Sequence, residues 1–260
     1  MASDQDGGTL PRLVAIMQRL LAPGGCPWDR EQTPESLRVY VIEEAHEVVD
    51  AIDRGSREDL RDELGDLLLQ IVFQAELARA RGWFGPDDVI AAICDKLVRR
   101  HPHVFADVQV SGSAEVVANW EAIKAGERPP ERGVLDGVPV ALPALARALR
   151  MGEKASSLGL DWPDATGTRA KVDEEIHELD AAVASGDADA TRHELGDALF
   201  ALANHGRKLA LDPEAALREA LGRFAQRVSA VEAAARDRGL ELRKLSAPEL
   251  DRLWRAAKTE

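Results

Sequence analysis

One block of acidic sequence occurs twice in this chain. Glu43-Glu44-Ala45-His46-Glu47 returns as Glu174-Glu175-Ile176-His177-Glu178, at an offset of 131 residues. At the same offset Gly55 matches Gly186, Arg61 matches Arg192, and Glu63-Leu64-Gly65-Asp66 matches Glu194-Leu195-Gly196-Asp197. After a gap of four residues, Gly85 to Arg100 lies against Asp212 to Arg227. The offset is close to half of the 260 residues, so a whole unit has been duplicated. Two copies make no solenoid. Ser111-Gly112-Ser113 breaks the first copy, and 126–143 holds four prolines and three glycines, the composition of a linker. The expected organisation is one domain over 9–125, a linker over 126–143 and a second domain over 144–260.

Both domains read as helical. Period-two alternation is almost absent, and Ala, Leu, Arg and Glu dominate. Val104 to Val110 is the one stretch that reads as extended. Val41, Ala45, Val48 and Ile52 form an apolar stripe, and Leu60, Leu64, Leu67 and Ile71 form a second with the same spacing. Gly55-Ser56 separates them, with Ser56 placed to cap the second helix. This is a helical hairpin. The second copy repeats it with Val172, Ile176, Leu179 and Val183, then Thr191, Leu195, Ala198 and Leu202. Units this small leave apolar flanks and commonly pair with two-fold symmetry, either between the two copies of one chain or between chains, and the homodimer is the favoured expectation.

The acids occupy one flank of each stripe. At about 100° per residue, Glu44 lies about 75° and Glu47 about 135° from the centre of the first stripe. Glu63 and Asp66 stand in the same relation to the second. In an antiparallel hairpin the two pairs converge, and four carboxylates together repel unless a cation sits between them. A hard divalent ion, Mg²⁺ first, suits all-oxygen ligands. The acids persist while neighbours drift: Val49 becomes Asp180 and Asp59 becomes Ala190. Gly65 and Gly196 sit mid-helix, where each costs about 1 kcal/mol relative to Ala, and imply a close approach to the backbone there. His46 and His193 begin HExxH-like runs that end in Asp, so a zinc-protease site is excluded.

Composition narrows the class. The net charge of −13 argues against a nucleic-acid polymer as partner, while small phosphorylated ligands remain compatible through bound cations. No apolar run spans a bilayer, and Met1 to Pro11 lacks a signal core. Cys26 and Cys94 are isolated, as in a reducing compartment. A cytoplasmic location without membrane contact is expected.

Taken together these motifs resemble the MazG family of nucleoside triphosphate pyrophosphohydrolases. Beside the paired EExxE and ExxD blocks, the resemblance rests on Cys26 to Thr33, Arg99 to Phe105, Asn119-Trp120 and Leu135 to Pro139. It implies an all-α fold of tandem four-helix-type units that dimerise. It implies hydrolysis of NTPs and dNTPs to NMP and pyrophosphate, a nucleotide house-cleaning activity. Mg²⁺ is the implied cofactor, with Mn²⁺ as a substitute. Its ligands would be Glu44, Glu47, Glu63 and Asp66 in the first copy, and Glu175, Glu178, Glu194 and Asp197 in the second. Glu43 and Glu174 are candidates for the proton acceptor. Lys96 and Arg100, aligned with Arg223 and Arg227, are candidates for phosphate binding. Trp254, Trp28 and Trp162 are candidates for lining the nucleotide pocket. The resemblance favours the second copy as the working one, although both ligand sets are intact. Narrower dUTP or phosphoribosyl-ATP pyrophosphohydrolases, and a non-enzymatic helical dimerisation module, are the alternatives.

Overall fold

A computed structural model describes residues 8–127, 129, 131 and 133–258. Two compact units divide the chain, Met1–Arg128 and Pro129–Glu260. The described residues contain helices and no strand.

In the first unit the order is α1 (Leu10–Leu21), α2 (Pro27–Glu31), α3 (Arg38–Arg54), α4 (Arg57–Ala80), α5 (Pro86–Arg100), α6 (Pro102–Phe105) and α7 (Ser113–Gly126). Helices α3 and α4 form the expected hairpin. Gly55 ends α3 in the left-handed region at φ 69°, a conformation that suits glycine. The Ser56 hydroxyl then accepts from the Asp59 N–H at 3.3 Å and starts α4. Helix α1 packs on α4, and α5 touches both α4 and α7. Met17 of α1, Leu37, and Val72, Phe73 and Leu77 of α4 make the core, flanked by Tyr40 and Leu69.

The second unit repeats this plan. After a 3₁₀ turn at Val134–Gly137 come α8 (Ala144–Ser156), α9 (Ala165–Ser185), α10 (Ala188–Lys208), α11 (Pro213–Asp237) and α12 (Ala247–Ala256). Helices α9 and α10 are the hairpin, with Gly186 at φ 75° and Asp187 capping α10 through Asp189 and Ala190. Helix α8 packs on α10 as α1 does on α4, and α11 touches α8 and α12.

Three expectations need correction. The stretch from Val104 opens in a helical turn: Pro102 takes the first helical position, and the Val104 and Phe105 N–H groups donate to the His101 carbonyl at 2.9 and 3.1 Å. The stripes are only half covered. Ala45, Ile52, Leu64 and Ile71 in the first hairpin, and Ile176, Val183, Leu195 and Leu202 in the second, are exposed. A hairpin covered mainly along one side by α1 or α8 leaves the rest of its apolar face open. Finally, a Cβ on Gly65 or Gly196 would meet open space, so nothing described within the chain approaches those glycines closely.

Candidate active site

The hairpin geometry brings acids from the two helices of each hairpin together. In the first unit, carboxylate oxygens of Glu44, Glu63 and Asp66 lie within 4.8 Å of one another, and in the second those of Glu175, Glu194 and Asp197 do the same. The i, i+3 spacing on α4 and α10 puts both of their acids on the flank that faces α3 or α9. Glu47 neighbours this group and acts on both Glu44 and Glu63, raising each carboxyl. Glu178, its counterpart, is exposed and lies outside the second cluster.

The two clusters differ electrostatically. Burial, and then the charge of Asp66 and Glu47, pushes the Glu44 carboxyl above its ordinary range. Glu63 is pushed up as well, by desolvation first and then by Glu47 and Asp66. Carboxylates crowded this way favour a proton or a cation between them. In the second unit a lysine stands close: Lys171 Nζ is 2.6 Å from Glu175 and 2.8 Å from Glu174. Its ammonium is held well above the usual lysine range by those two hydrogen bonds. His193 Nε2 lies 3.2 Å from Asp197. The position matching Lys171 in the first unit is Tyr40.

Beside the second cluster a pocket of about 80 Å³ opens between α9 and α10. Glu175 and Asp197 line it together with Lys171, Trp162, Thr168 and Asn204. Successive levels of the antiparallel hairpin order these residues: Glu175 with Asp197, then Lys171, then Thr168 with Asn204. Thr168 is 2% exposed, Glu175 5% and Asn204 8%. The matching positions of the first unit are Leu37 for Thr168 and Phe73 for Asn204, both in its apolar core. Sequence reasoning singled out Trp162 alone among these pocket residues outside the acid set. Lys171, Thr168 and Asn204 carried a legible signal, namely polar residues where the sister copy has Tyr, Leu and Phe.

The remaining candidates sit elsewhere. Glu43 is exposed on α3. Lys96 is exposed on α5, while Arg100 is bonded to Glu127 and lies over the Trp120 ring at 5.4 Å. Arg223 reaches Glu219 at 3.4 Å on α11, one turn from half-buried Arg227. Trp254 packs on Phe224, ring centres 5.5 Å apart, next in sequence to Arg223. Trp28 makes an edge contact with Tyr40 at 6.1 Å. None of these residues lines the pocket beside the second acid cluster.

Known proteins match this chain over most of its length. Residues 32–105 match the MazG nucleotide pyrophosphohydrolase domain. The nucleoside triphosphate pyrophosphohydrolase of Escherichia coli strain K12 is 43% identical over 256 residues, covering 96% of this chain and 97% of that protein. This chain belongs to the MazG family. A Thermotoga maritima MazG, a nucleoside triphosphate pyrophosphohydrolase/pyrophosphatase, is also 43% identical, over 95% of this chain and 94% of its own. Membership extends over both copies, since the matched length is nearly the whole chain. The all-α architecture of the family is the architecture described above. No described helix of this MazG protein is long and apolar enough to cross a membrane.

Proposed function

We propose that this protein hydrolyses nucleoside and deoxynucleoside triphosphates between the α and β phosphates, releasing NMP and pyrophosphate. The observation that carries the reading is the cluster Glu175, Glu194 and Asp197, of which Glu175 and Asp197 line a pocket. Family membership over nearly the full chain supports it. House-cleaning of the cytoplasmic nucleotide pool is the role it fits.

The donor set suits Mg²⁺ or Mn²⁺: it is all oxygen, and the raised Glu44 and Glu63 carboxyls mark sites where negative charge lacks a partner. Glu175, Glu178, Glu194 and Asp197 would hold the ion in the second copy, and Glu44, Glu47, Glu63 and Asp66 in the first. A divalent ion held there would neutralise phosphate charge and make a coordinated water more acidic. The chain's own groups do the rest. Glu174 accepts the proton of the attacking water, and Glu43 is its counterpart in the first copy. Lys171 meets phosphate charge at the mouth of the pocket. Arg223 and Arg227, with Lys96 and Arg100 as their first-copy counterparts, hold the outer phosphates. Trp162 and Trp254 flank the nucleoside, and Trp28 supports the matching loop of the first copy. Turnover belongs to the second copy, because Leu37 and Phe73 occupy the matching positions of the first. The uncovered halves of the hairpin stripes support pairing of two chains as a homodimer.

The test is pyrophosphate release from a mixture of the eight common NTPs and dNTPs, with Mg²⁺ and with excess chelator. Equimolar NMP and pyrophosphate from several substrates, lost with the chelator, is the expected result. Release from dUTP alone reduces the reading to a narrow enzyme, and orthophosphate or no product overturns it.

A further inference from the structure

The pocket has a far end that the cluster of acids does not account for. On α10, Asn204 lies seven residues, two helical turns or about 10 Å, beyond Asp197. With a triphosphate at the acids, that is the span of a ribose and a base. The far end is built rather than merely empty. Trp162 forms one wall, and a Cβ on Gly167 would collide with the Trp162 ring, so the ring is seated directly on the α9 backbone. Thr168 is committed: its hydroxyl donates to the Ala165 carbonyl at 3.0 Å and lies 2.9 Å from His205 Nδ1.

Asn204 is held with equal care. Its Oδ1 accepts from Arg207 Nε at 2.7 Å. Arg207 is in turn fixed by Asp161, through Nη1 to Oδ2 at 3.2 Å and Nη2 to Oδ1 at 2.5 Å. Gly152 of α8 backs the amide so closely that a Cβ there would stand 2.8 Å from Oδ1. A guanidinium can only donate, so this clamp fixes which end of the amide is oxygen. Nδ2 makes no hydrogen bond to any described residue, although the side chain is 8% exposed and lines the pocket. The amide therefore presents hydrogen-bond donors, and no acceptor, to whatever enters.

We infer that this end of the pocket reads the nucleobase, with Trp162 stacking on its face and Asn204 Nδ2 donating to a carbonyl oxygen on its edge. The inference rests on the proposed hydrolysis of nucleoside triphosphates and names the substrates that site prefers. A base with a carbonyl at the edge facing Asn204 pairs with the donor; a base with an amino group there sets donor against donor and leaves the buried amide unsatisfied. Hydrolytic deamination converts an amino edge into a carbonyl edge, adenine to hypoxanthine and cytosine to uracil. The preferred class is accordingly carbonyl-edged nucleotides, deaminated ones ahead of their parents.

ITP against ATP and UTP against CTP are pairs that isolate that edge. The wild-type chain gives kcat/KM about tenfold higher for ITP and UTP, the scale of one hydrogen bond. Asn204→Asp keeps an oxygen for Arg207 and puts an acceptor where the donor was, so the ranking within both pairs reverses. Equal or amino-favouring rates in the wild type overturn the inference, and so does an Asn204→Asp enzyme that keeps the wild-type ranking. The wild-type pairs alone decide it if the variant does not fold. Binding of the α,β-methylene analogues of ITP and ATP, read by quenching of tryptophan fluorescence, separates this inference from the hydrolase reading. A chain that releases no pyrophosphate from any nucleotide fails as a hydrolase. In that assay, tighter ITP-analogue binding with quenching lost in Trp162→Phe upholds the base reader, whereas equal affinities or unchanged quenching overturn it.

Discussion

The two hairpins share their turn, their caps and their acids, and differ in what lies behind the acids. In the first, Leu37 at 1% exposure and Phe73 at 3% join Met17 in a packed apolar core. In the second, Thr168 and Asn204 occupy the matching positions and a pocket opens between them and the acid cluster. One copy uses the volume between its helices to bury apolar surface; the other keeps it for a ligand and holds the polar lining in place with the Arg207–Asp161 pair. Duplication lets stability and binding be divided in this way, because a site that keeps a cavity and buried polar groups gives up packing that its sister retains.

The comparison breaks most visibly at the acids. Glu175→Gln or Asp197→Asn is expected to lower pyrophosphate release roughly a thousandfold, the upper range for removing one electrostatic group from a site of this kind. Glu44→Gln or Asp66→Asn is expected to cost about twofold, a change within the range of indirect effects. Equal losses in both copies, measured as kcat at saturating Mg²⁺, would restore the first copy to the chemistry.

Exchanging the residues behind the acids comes next. Phe73→Asn places an amide in the first core without the arginine that holds Asn204, and removes ring volume. A loss of about 3 kcal/mol in urea unfolding is expected. The reverse exchange, Thr168→Leu with Asn204→Phe, fills the pocket. It is expected to lower kcat/KM about tenfold at a stability cost of about 1–3 kcal/mol, because the new ring must fit against Gly152. A stability loss without a kinetic one would show that the pocket is packing and not a binding site.

The smallest effect is a pH dependence confined to the second unit. Hydrogen bonds from Arg207, and then from Lys208, lower the Asp161 carboxyl from 3.8 to about 2. A carboxyl with a depressed folded-state value stabilises the fold above its unfolded value and loses that contribution as the pH falls through the folded one. The difference in melting temperature between wild type and Asp161→Asn should therefore be constant above about pH 5 and shrink between pH 4 and pH 2. A difference independent of pH would mean that the pair contributes packing alone.

Much of this was legible beforehand. The stripe spacing around Gly55-Ser56 predicts the hairpin and its cap, and the i, i+3 acids predict the convergence of Glu44 with Glu63 and Asp66. What could not be read was burial. Periodicity ranks Ile52, Leu64 and Ile71 as core, but their cover depends on how many helices flank the hairpin, which no local pattern records. Gly65 and Gly196 pointed to a close approach that the chain itself does not make. The Val104 stretch reads as extended from its β-branched and aromatic residues, whereas Pro102 just before it favours a helical start. Lys171, Thr168 and Asn204 are hidden in the repeat, which marks the positions that stay the same. The positions that changed from Tyr, Leu and Phe were the ones lining the pocket.

Gly167 carries a consequence for how this sequence can vary. Its counterpart Ser36 bears a side chain that hydrogen-bonds Gln32 and the Thr33 carbonyl, so the first copy tolerates an ordinary residue there. In the second copy even a methyl group at 167 would displace Trp162. A random library scored for turnover should therefore show an intolerant position at 167 and a permissive one at 36, although the two positions match in the repeat and neither is charged. The wall of the pocket is written as a missing atom, and a single-nucleotide change from a glycine to an alanine codon is enough to move it.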